Sequence, residues 1–213
     1  MDSPFVSGFV KICGVTNVTD ARAVADAGAH ALGLILSSSA RRVTPEQARE
    51  ISRASSRELL HCAVFRDEDD EVVIDTLDYL EVGAVQVHGR LGAPLLATLR
   101  EKSLWVIKAL AIDSAEFFTF DETVVDAVLV DGPRPGAGVE HSWAAMNKRT
   151  FRVPVIAAGG LTPENVGASI SDSRAWGVDC ASGVEFSPGR KDHDRVARFV
   201  ANARRAFIEQ GVT

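Results

Sequence analysis

Short apolar runs alternate with polar, helix-compatible segments along the whole chain. Unbroken apolar runs of this length are typical of parallel strands that are buried on both faces. The runs predict eight strands: Phe9–Val15, Ala31–Leu36, Leu60–Phe65, Ala84–Gly89, Leu104–Leu110, Asp126–Val130, Val153–Ala158 and Gly177–Cys180.

Helix signals fill the intervals between these runs. Gly28 ends an alanine-rich segment in the usual C-terminal position, and Pro45 stands where a helix begins. The predicted helices are Ala21–Ala27, a segment after Pro45, Asp69–Leu80, Ala93–Arg100, Asp113–Phe120, a helix near Ser142, a segment opened by Thr162-Pro163, and Asp192–Phe207.

Eight alternations of strand and helix predict an α/β fold, a (β/α)8 TIM barrel with short loops. One such barrel would occupy residues 1–213 as a single domain. An open doubly wound sheet is the competing architecture. It seldom needs eight repeats, and the first strand-to-helix turn lacks the GxGxxG motif of that fold.

Composition narrows the functional classes. The formal net charge of −6 opposes nucleic-acid binding, which needs a basic face. The chain has no apolar run of membrane length and no leader-like N-terminus. Its three cysteines and five histidines are scattered and lack metal-ligand or disulfide spacing. We therefore expect a cytoplasmic protein with no membrane, nucleic-acid or metal partner.

The last two predicted strands end in small residues. Gly159-Gly160 follows one strand, and Ala181-Ser182-Gly183 follows the other. Small residues allow backbone N–H groups to approach an anion, and the last two strands of a barrel frequently hold a phosphate. The competing interpretation is a pair of tight turns with no ligand.

Two strand-end residues could transfer protons. Cys13 follows Lys11 at the end of the first strand, and a nearby lysine could lower the pKa of the thiol and make it a base or nucleophile. Asp131 follows the sixth apolar run, where a carboxyl group could act as a general acid. The alternative roles are core packing for Cys13 and loop capping for Asp131.

Other polar residues occur at the same strand ends. Arg41 could clamp a carboxylate with its planar guanidinium, or it could be a solvated loop cation. His88 would have a supporting role at most. The remaining polar residues of this set are Gln86, Lys108 and Asp179. Together they suit proton transfer on a sugar phosphate.

Several motifs, in this order, resemble the phosphoribosylanthranilate isomerase family of tryptophan biosynthesis. The similar stretches are KICGVTNVTDA from Lys11, SARRVTPEQA from Ser39, VQVHG from Val85, VIKAL from Val106, VLVDG from Val128, AAGGLTPENV from Ala157 and GVDCASGVEFSPGRKDHD from Gly177. The KICG and SGVE-xSPGxKD motifs are specific, and the similarity covers nearly the whole chain.

The resemblance implies a (β/α)8 barrel without metal or organic cofactor that catalyses an Amadori rearrangement. Asp131 would protonate the ribose ring oxygen, and Cys13, as thiolate, would remove the proton at C2. Arg41 would bind the anthranilate carboxylate. The remaining implied substrate-binding residues are Gly136, Gly138, Gly159, Gly160, Asp179, Ala181 and Ser182. The small-molecule phosphoribosyl substrate is the implied partner, and members of the family are monomers or homodimers.

The chain departs from the family pattern after the sixth strand. The family's GG[ST]G, two residues and FDW become PGAG, VE and HSW from Pro135 to Trp143. A divergent paralogue that isomerises a related phosphoribosyl amine therefore stays open. A histidine-pathway sugar isomerase would need an aspartate where Cys13 stands, and a non-catalytic phosphate-binding barrel would lack the acid or the base.

Overall fold

The computed structural model describes residues 6–56, 58–133 and 142–211, and its centre is a closed barrel of eight parallel strands. Each strand pairs with its sequence neighbours, and the first pairs with the eighth. This confirms the predicted (β/α)8 fold. The barrel strands are β1 Phe9–Cys13, β2 Ala31–Ile35, β3 Leu60–Arg66, β4 Ala84–His88, β5 Trp105–Ala111, β6 Ala127–Asp131, β7 Val155–Ala157 and β8 Gly177–Cys180.

Helices surround the barrel. The α-helices are α1 Val18–Asp26, α2 Pro45–Ala54, α3 Asp70–Tyr79, α4 Ala93–Glu101, α5 Ala115–Thr119, α6 Val166–Ser173 and α7 His193–Glu209. Short 3₁₀ helices cover Glu122–Val124, Trp143–Lys148 and Ser182–Val184. The helix expected near Ser142 is therefore of the 3₁₀ type. Across the described ranges, no helix combines the length and apolarity that a membrane crossing requires.

Side-chain oxygens fix where several helices begin. Asn17 accepts a hydrogen bond from the backbone of the first turn of α1, and Asp192 does the same for α7. At α2, Thr44 and Gln47 form a reciprocal capping box ahead of Pro45. Each cap satisfies backbone N–H groups that have no partner within the helix.

Alternation along the strands separates two apolar cores. One set of side chains, including Phe9, Cys62 and Ile107, fills the barrel interior. The other set, including Val10, Phe65 and Phe199, packs between strands and helices. Because neighbouring residues of a strand point to opposite faces, a shift of one position moves a side chain from one core to the other.

A small antiparallel hairpin follows β8 and was not predicted. It consists of β9, Glu185–Ser187, and β10, Arg190–Lys191. Its turn contains Pro188 and Gly189, and Gly189 has a φ of +78°. The carbonyl of Gly189 accepts a hydrogen bond from Thr16 at 2.5 Å, which ties the hairpin to the loop after β1.

Candidate active site

A cavity of about 330 Å³ opens at the carboxyl ends of the strands. Most of the sequence-predicted chemical residues line it: Cys13, Arg41, Gln86, His88, Asp131, Asp179 and Ala181. They come from strands that are far apart in sequence. The closed barrel therefore brings the predicted base, the predicted acid and the predicted carboxylate clamp to one compartment.

Strand register assembles the floor of this cavity. Lys11 lies beside Asp179 in the parallel pairing of β1 with β8, and Lys11 Nζ donates to Asp179 Oδ1 at 2.9 Å. Gly33 lies beside Cys13 in the pairing of β1 with β2. A Cβ at position 33 would lie 2.7 Å from Cys13 Sγ and 3.2 Å from Lys11 Nζ. The absent side chain thus makes room for the thiol and the ammonium group together.

The pKa of the Cys13 thiol differs in direction from the shift predicted from the sequence. Burial raises its pKa above the ordinary value, and the positive charges of Lys11 and Lys191 oppose this rise without cancelling it. The predicted lowering of the pKa by a nearby lysine is therefore wrong in its net direction. Burial alone would lower the pKa of Lys11, but the Asp179 carboxylate with its hydrogen bond and the negative charges of ionised Cys13 and Cys62 together raise it. Lys11 itself therefore stays protonated.

Asp131 ends β6 and is 7% exposed. Its Oδ1 accepts a hydrogen bond from the N–H of Gly132 at 2.7 Å. The residue lines the main cavity and also a smaller neighbouring one of about 50 Å³. Asp131 therefore borders both cavities.

Arg41 lies in the loop between β2 and α2, and its side chain is mostly buried. Gly14, with a φ of +72°, lets this side chain pass, since a Cβ there would lie 2.6 Å from Arg41 Cδ. Glu185 holds the guanidinium through Nε and Nη2. The alternative of a solvated loop cation is therefore wrong. The hydrogen bonds that Arg41 donates to Glu185 raise the pKa of the guanidinium against the effect of burial.

Glu185 and Lys191 are polar residues of the site that the sequence analysis missed. They face each other in the β9–β10 hairpin, and Lys191 Nζ donates to Glu185 Oε1 at 3.0 Å. Both side chains are almost completely buried, at 4% and 0% exposure. A Ser-Pro-Gly turn between a glutamate and a lysine was the available signal, because such a turn predicts a hairpin that pairs the flanking residues.

Gln86 and His88 project from β4 into the main cavity. Gln86 Nε2 lies 2.8 Å from His88 Nε2, and Gln86 Oε1 has no hydrogen-bond partner among the described residues. Burial, together with the positive charges of Arg66, Lys11 and Lys108, lowers the pKa of His88 to about 3. His88 is therefore neutral at physiological pH and can accept or donate a hydrogen bond without changing charge.

The predicted phosphate turns line the smaller cavity. Gly159 and Gly160 follow β7 with φ values of +86° and +69°, and Ala181 and Ser182 follow β8. Within the described ranges, no backbone carbonyl accepts from the N–H groups of Gly159 or Gly160. These donors are available to an anion. Gly136 and Gly138, the other predicted phosphate residues, lie outside the described residues.

Lys108 does not belong to the site, although its strand position suggested it. Its side chain points outward from the barrel, and its Nζ lies 2.9 Å from Glu116 Oε1 on α5. No group of three or more histidine, cysteine or acidic side chains within residues 6–56, 58–133 and 142–211 is arranged to hold a metal ion.

Comparison with known proteins gives consistent matches. The family model described as N-(5'phosphoribosyl)anthranilate (PRA) isomerase matches residues 10–202. The N-(5'-phosphoribosyl)anthranilate isomerase of Desulforudis audaxviator is 40% identical over 205 residues, which are 93% of this chain and 98% of that relative.

Solved structures agree with this match. The phosphoribosyl anthranilate isomerase of Thermotoga maritima is 33% identical, with a TM-score of 0.79 over 92% of this chain and 98% of that one. A phosphoribosyl anthranilate isomerase in complex with reduced 1-(o-carboxyphenylamino)-1-deoxyribulose 5-phosphate is 32% identical, with a TM-score of 0.76 and coverage of 92% and 98%. The chain belongs to the N-(5'-phosphoribosyl)anthranilate isomerase family of isomerase enzymes, as its sequence motifs predicted.

Proposed function

We propose that this protein converts N-(5-phosphoribosyl)anthranilate to 1-(2-carboxyphenylamino)-1-deoxyribulose 5-phosphate in tryptophan biosynthesis. The carboxyl group of Asp131 protonates the ribose ring oxygen, the C1–O bond breaks, and the anthranilate nitrogen forms a Schiff base with C1. The thiolate of Cys13 then removes the proton at C2. The enol-amine that results tautomerises to the ketone, so that the reaction is a net isomerisation.

The observation that carries the proposal is the shared cavity of Cys13 and Asp131. The two residues end β1 and β6 and line the same space at the carboxyl ends of the strands. A general acid and a general base must reach neighbouring atoms of one substrate, and a cavity of about 330 Å³ holds a molecule of this size.

Burial of the thiol supports its role as a base. Desolvation raises the pKa of Cys13, so the thiolate binds a proton more strongly than a thiolate in water does. The ammonium group of Lys11 lies beside it and stabilises the anion once it forms. The site thereby combines a basic sulfur with a fixed positive charge.

Binding groups surround this pair. Arg41 receives the anthranilate carboxylate, and the backbone around Gly159, Gly160, Ala181 and Ser182 receives the phosphate in the smaller cavity. Asp179 helps to define the border between the two cavities, which it lines together with Asp131. The family resemblance also assigns phosphate binding to Gly136 and Gly138, which lie outside the described residues.

Turnover of freshly prepared phosphoribosylanthranilate, followed by loss of its fluorescence, tests the function. Cys13→Ala lowers kcat at least ~10²-fold, the scale for loss of a general base. Cys62→Ala is the matched control, because Cys62 is equally buried in the barrel interior and does not line the cavity. Equal rates for wild type and Cys13→Ala would refute the assignment of the base.

Complementation examines the substrate independently. A tryptophan auxotroph that lacks the isomerase grows when it expresses this protein at an ordinary level, if the proposed substrate is correct. Failure to grow, combined with turnover of another phosphoribosyl amine in vitro, would instead support a divergent paralogue.

A further inference from the structure

Among the described residues, the guanidinium of Arg41 is held from one side only. Glu185 Oε1 accepts from Arg41 Nε at 2.8 Å, and Glu185 Oε2 accepts from Arg41 Nη2 at 2.8 Å. This two-point contact fixes both the position and the plane of the group, because a planar guanidinium and a planar carboxylate match along one edge.

The opposite edge of the guanidinium is available. Glu185 uses the Nε and Nη2 edge, and Nη1 has no hydrogen-bond partner within the described ranges. Arg41 lines the main cavity together with Cys13 and Asp131. A second carboxylate can therefore pair with the Nη1 and Nη2 edge while Glu185 keeps its own contact.

Lys191 maintains the charge of Glu185. Its Nζ donates to Glu185 Oε1 at 3.0 Å, to the carbonyl of Cys13 at 2.6 Å and to the carbonyl of Ala181 at 3.0 Å. Burial alone would raise the pKa of Glu185, but the hydrogen bonds and charges of Arg41 and Lys191 lower it overall. The hairpin thus carries a carboxylate whose pKa lies below its ordinary value and whose partner Lys191 contacts the ends of β1 and β8.

We propose that Glu185 is a positioning residue that orients Arg41 for the carboxylate of the aryl amine. This inference rests on the proposed function, in which Arg41 contacts that carboxylate. It also accounts for the SGVE-xSPGxKD motif: the glutamate and the lysine form the paired charges, and the Pro188-Gly189 turn brings them together.

Two substrates separate positioning from a structural role. One is phosphoribosylanthranilate, and the other is the carboxylate-free phosphoribosyl amine made from aniline and ribose 5-phosphate. Glu185→Gln keeps the shape of the side chain but places an N–H donor against the guanidinium donors. We expect kcat/KM for the anthranilate substrate to fall at least about tenfold, chiefly through KM, since a charge-assisted pair is lost. For the aniline substrate we expect values within twofold of wild type.

Glu185→Asp, which restores the negative charge, recovers part of the loss.

Two variants calibrate this result. Arg41→Met shows the same selectivity for the anthranilate substrate if Arg41 contacts the carboxylate. Glu122→Gln removes another mostly buried arginine–glutamate pair, with Arg149, away from the cavity. It lowers Tm and leaves both kcat/KM values unchanged.

The outcomes are distinct. Parallel losses on both substrates in Glu185→Gln, or no loss on either, overturn the positioning role while the isomerase function stands. A parallel loss in Arg41→Met refutes the carboxylate contact itself. A wild-type protein that turns over neither substrate overturns the proposed function and this inference with it.

Discussion

Two lysines on barrel strands, Lys11 and Lys108, are both completely buried, yet they lie in different environments. Lys11 points into the barrel, where it pairs with Asp179, a residue that lines the cavity. Lys108 points outward to α5, where its partner Glu116 remains 44% exposed. Lys11 therefore depends on a partner that is itself mostly buried, whereas the partner of Lys108 keeps more contact with solvent.

The difference shows that the parity of a strand position decides whether a side chain faces the barrel interior or the surrounding helices. Lys11 and Cys13 are two positions apart on β1 and share the inner face. Lys108 lies one position from Ala109, which packs in the barrel interior, and so belongs to the outer layer. Four predictions test whether this division holds.

The largest expected effect comes from removing the ammonium group of Lys11, with removal of that of Lys108 as the comparison. Lys11→Met leaves the buried Asp179 carboxylate unpaired, which costs about 3 kcal/mol of unfolding free energy. It also lowers kcat at least ~10²-fold, because the thiolate loses its stabilising charge. Lys108→Met costs less than about 1 kcal/mol and preserves kcat, since Glu116 is solvated. Denaturant titration and turnover measure both, and equal activity losses would contradict the division.

The pH dependence of Cys13 alkylation tests the environment of the thiol. Iodoacetamide reacts with the thiolate and not with the thiol, so the alkylation rate follows the thiolate fraction and does not involve the acid Asp131. Burial raises the pKa of Cys13, so this fraction grows roughly tenfold per pH unit below that pKa. We expect the alkylation rate of Cys13 to rise from neutral to alkaline pH in wild type and in Lys108→Met, and the adduct to be missing in Cys13→Ala. A rate that levels off at or below the ordinary thiol pKa of about 8.5 would contradict the raised pKa.

Filling the space beside the Cys13 thiol should have a smaller effect on turnover. Gly33→Ala places a methyl group where it would meet Cys13 Sγ at 2.7 Å, and the displaced sulfur should lower kcat about tenfold. Gly177→Ala is the control inside the same barrel, because its methyl group would meet the Phe9 carbonyl at 2.7 Å instead. It should lower Tm and leave kcat unchanged. Parallel changes in kcat would indicate that general strain, rather than displacement of the sulfur, limits turnover.

At neutral pH the smallest effect is that of His88, whose contribution to stability changes only as the pH becomes acidic. Its pKa is about 3 in the folded protein and about 6.5 in the unfolded chain. As the pH falls below 6.5, the unfolded chain binds a proton that the folded protein excludes, so stability decreases. The slope approaches ~1.4 kcal/mol per pH unit. His88→Gln should remove this contribution, which urea titrations between pH 4 and pH 7 measure, and an unchanged slope would contradict it.

The fold and the membership of the cavity were predictable from local patterns. Apolar runs and caps located the strands, and the rule that parallel strands end on one rim placed Cys13, Arg41 and Asp131 together. The prediction that Lys108 belongs to the site was wrong because it used the position along β5 without asking which face of the strand the side chain occupies. Counting from Ala109 or Ile107, both in the interior core, would have corrected it.

Other features depended on distant parts of the chain. The net pKa shift of Cys13 reflects a balance between burial and charges from Lys11 and Lys191, which no local pattern shows. The contact between Arg41 and Glu185 joins residues 144 positions apart. The sequence nevertheless contained one usable signal for it, the tight turn between Glu185 and Lys191.

The Lys11–Asp179 pair spans the seam between the first and the last barrel strands. A chain emerging from the ribosome carries the sulfur of residue 13 early, but its lysine neighbour waits for a counter-ion 168 residues later. The Lys11–Asp179 pair can therefore form only when β8 has been made and the barrel closes. A half-made molecule holds the proposed base without the completed charge pair beside it.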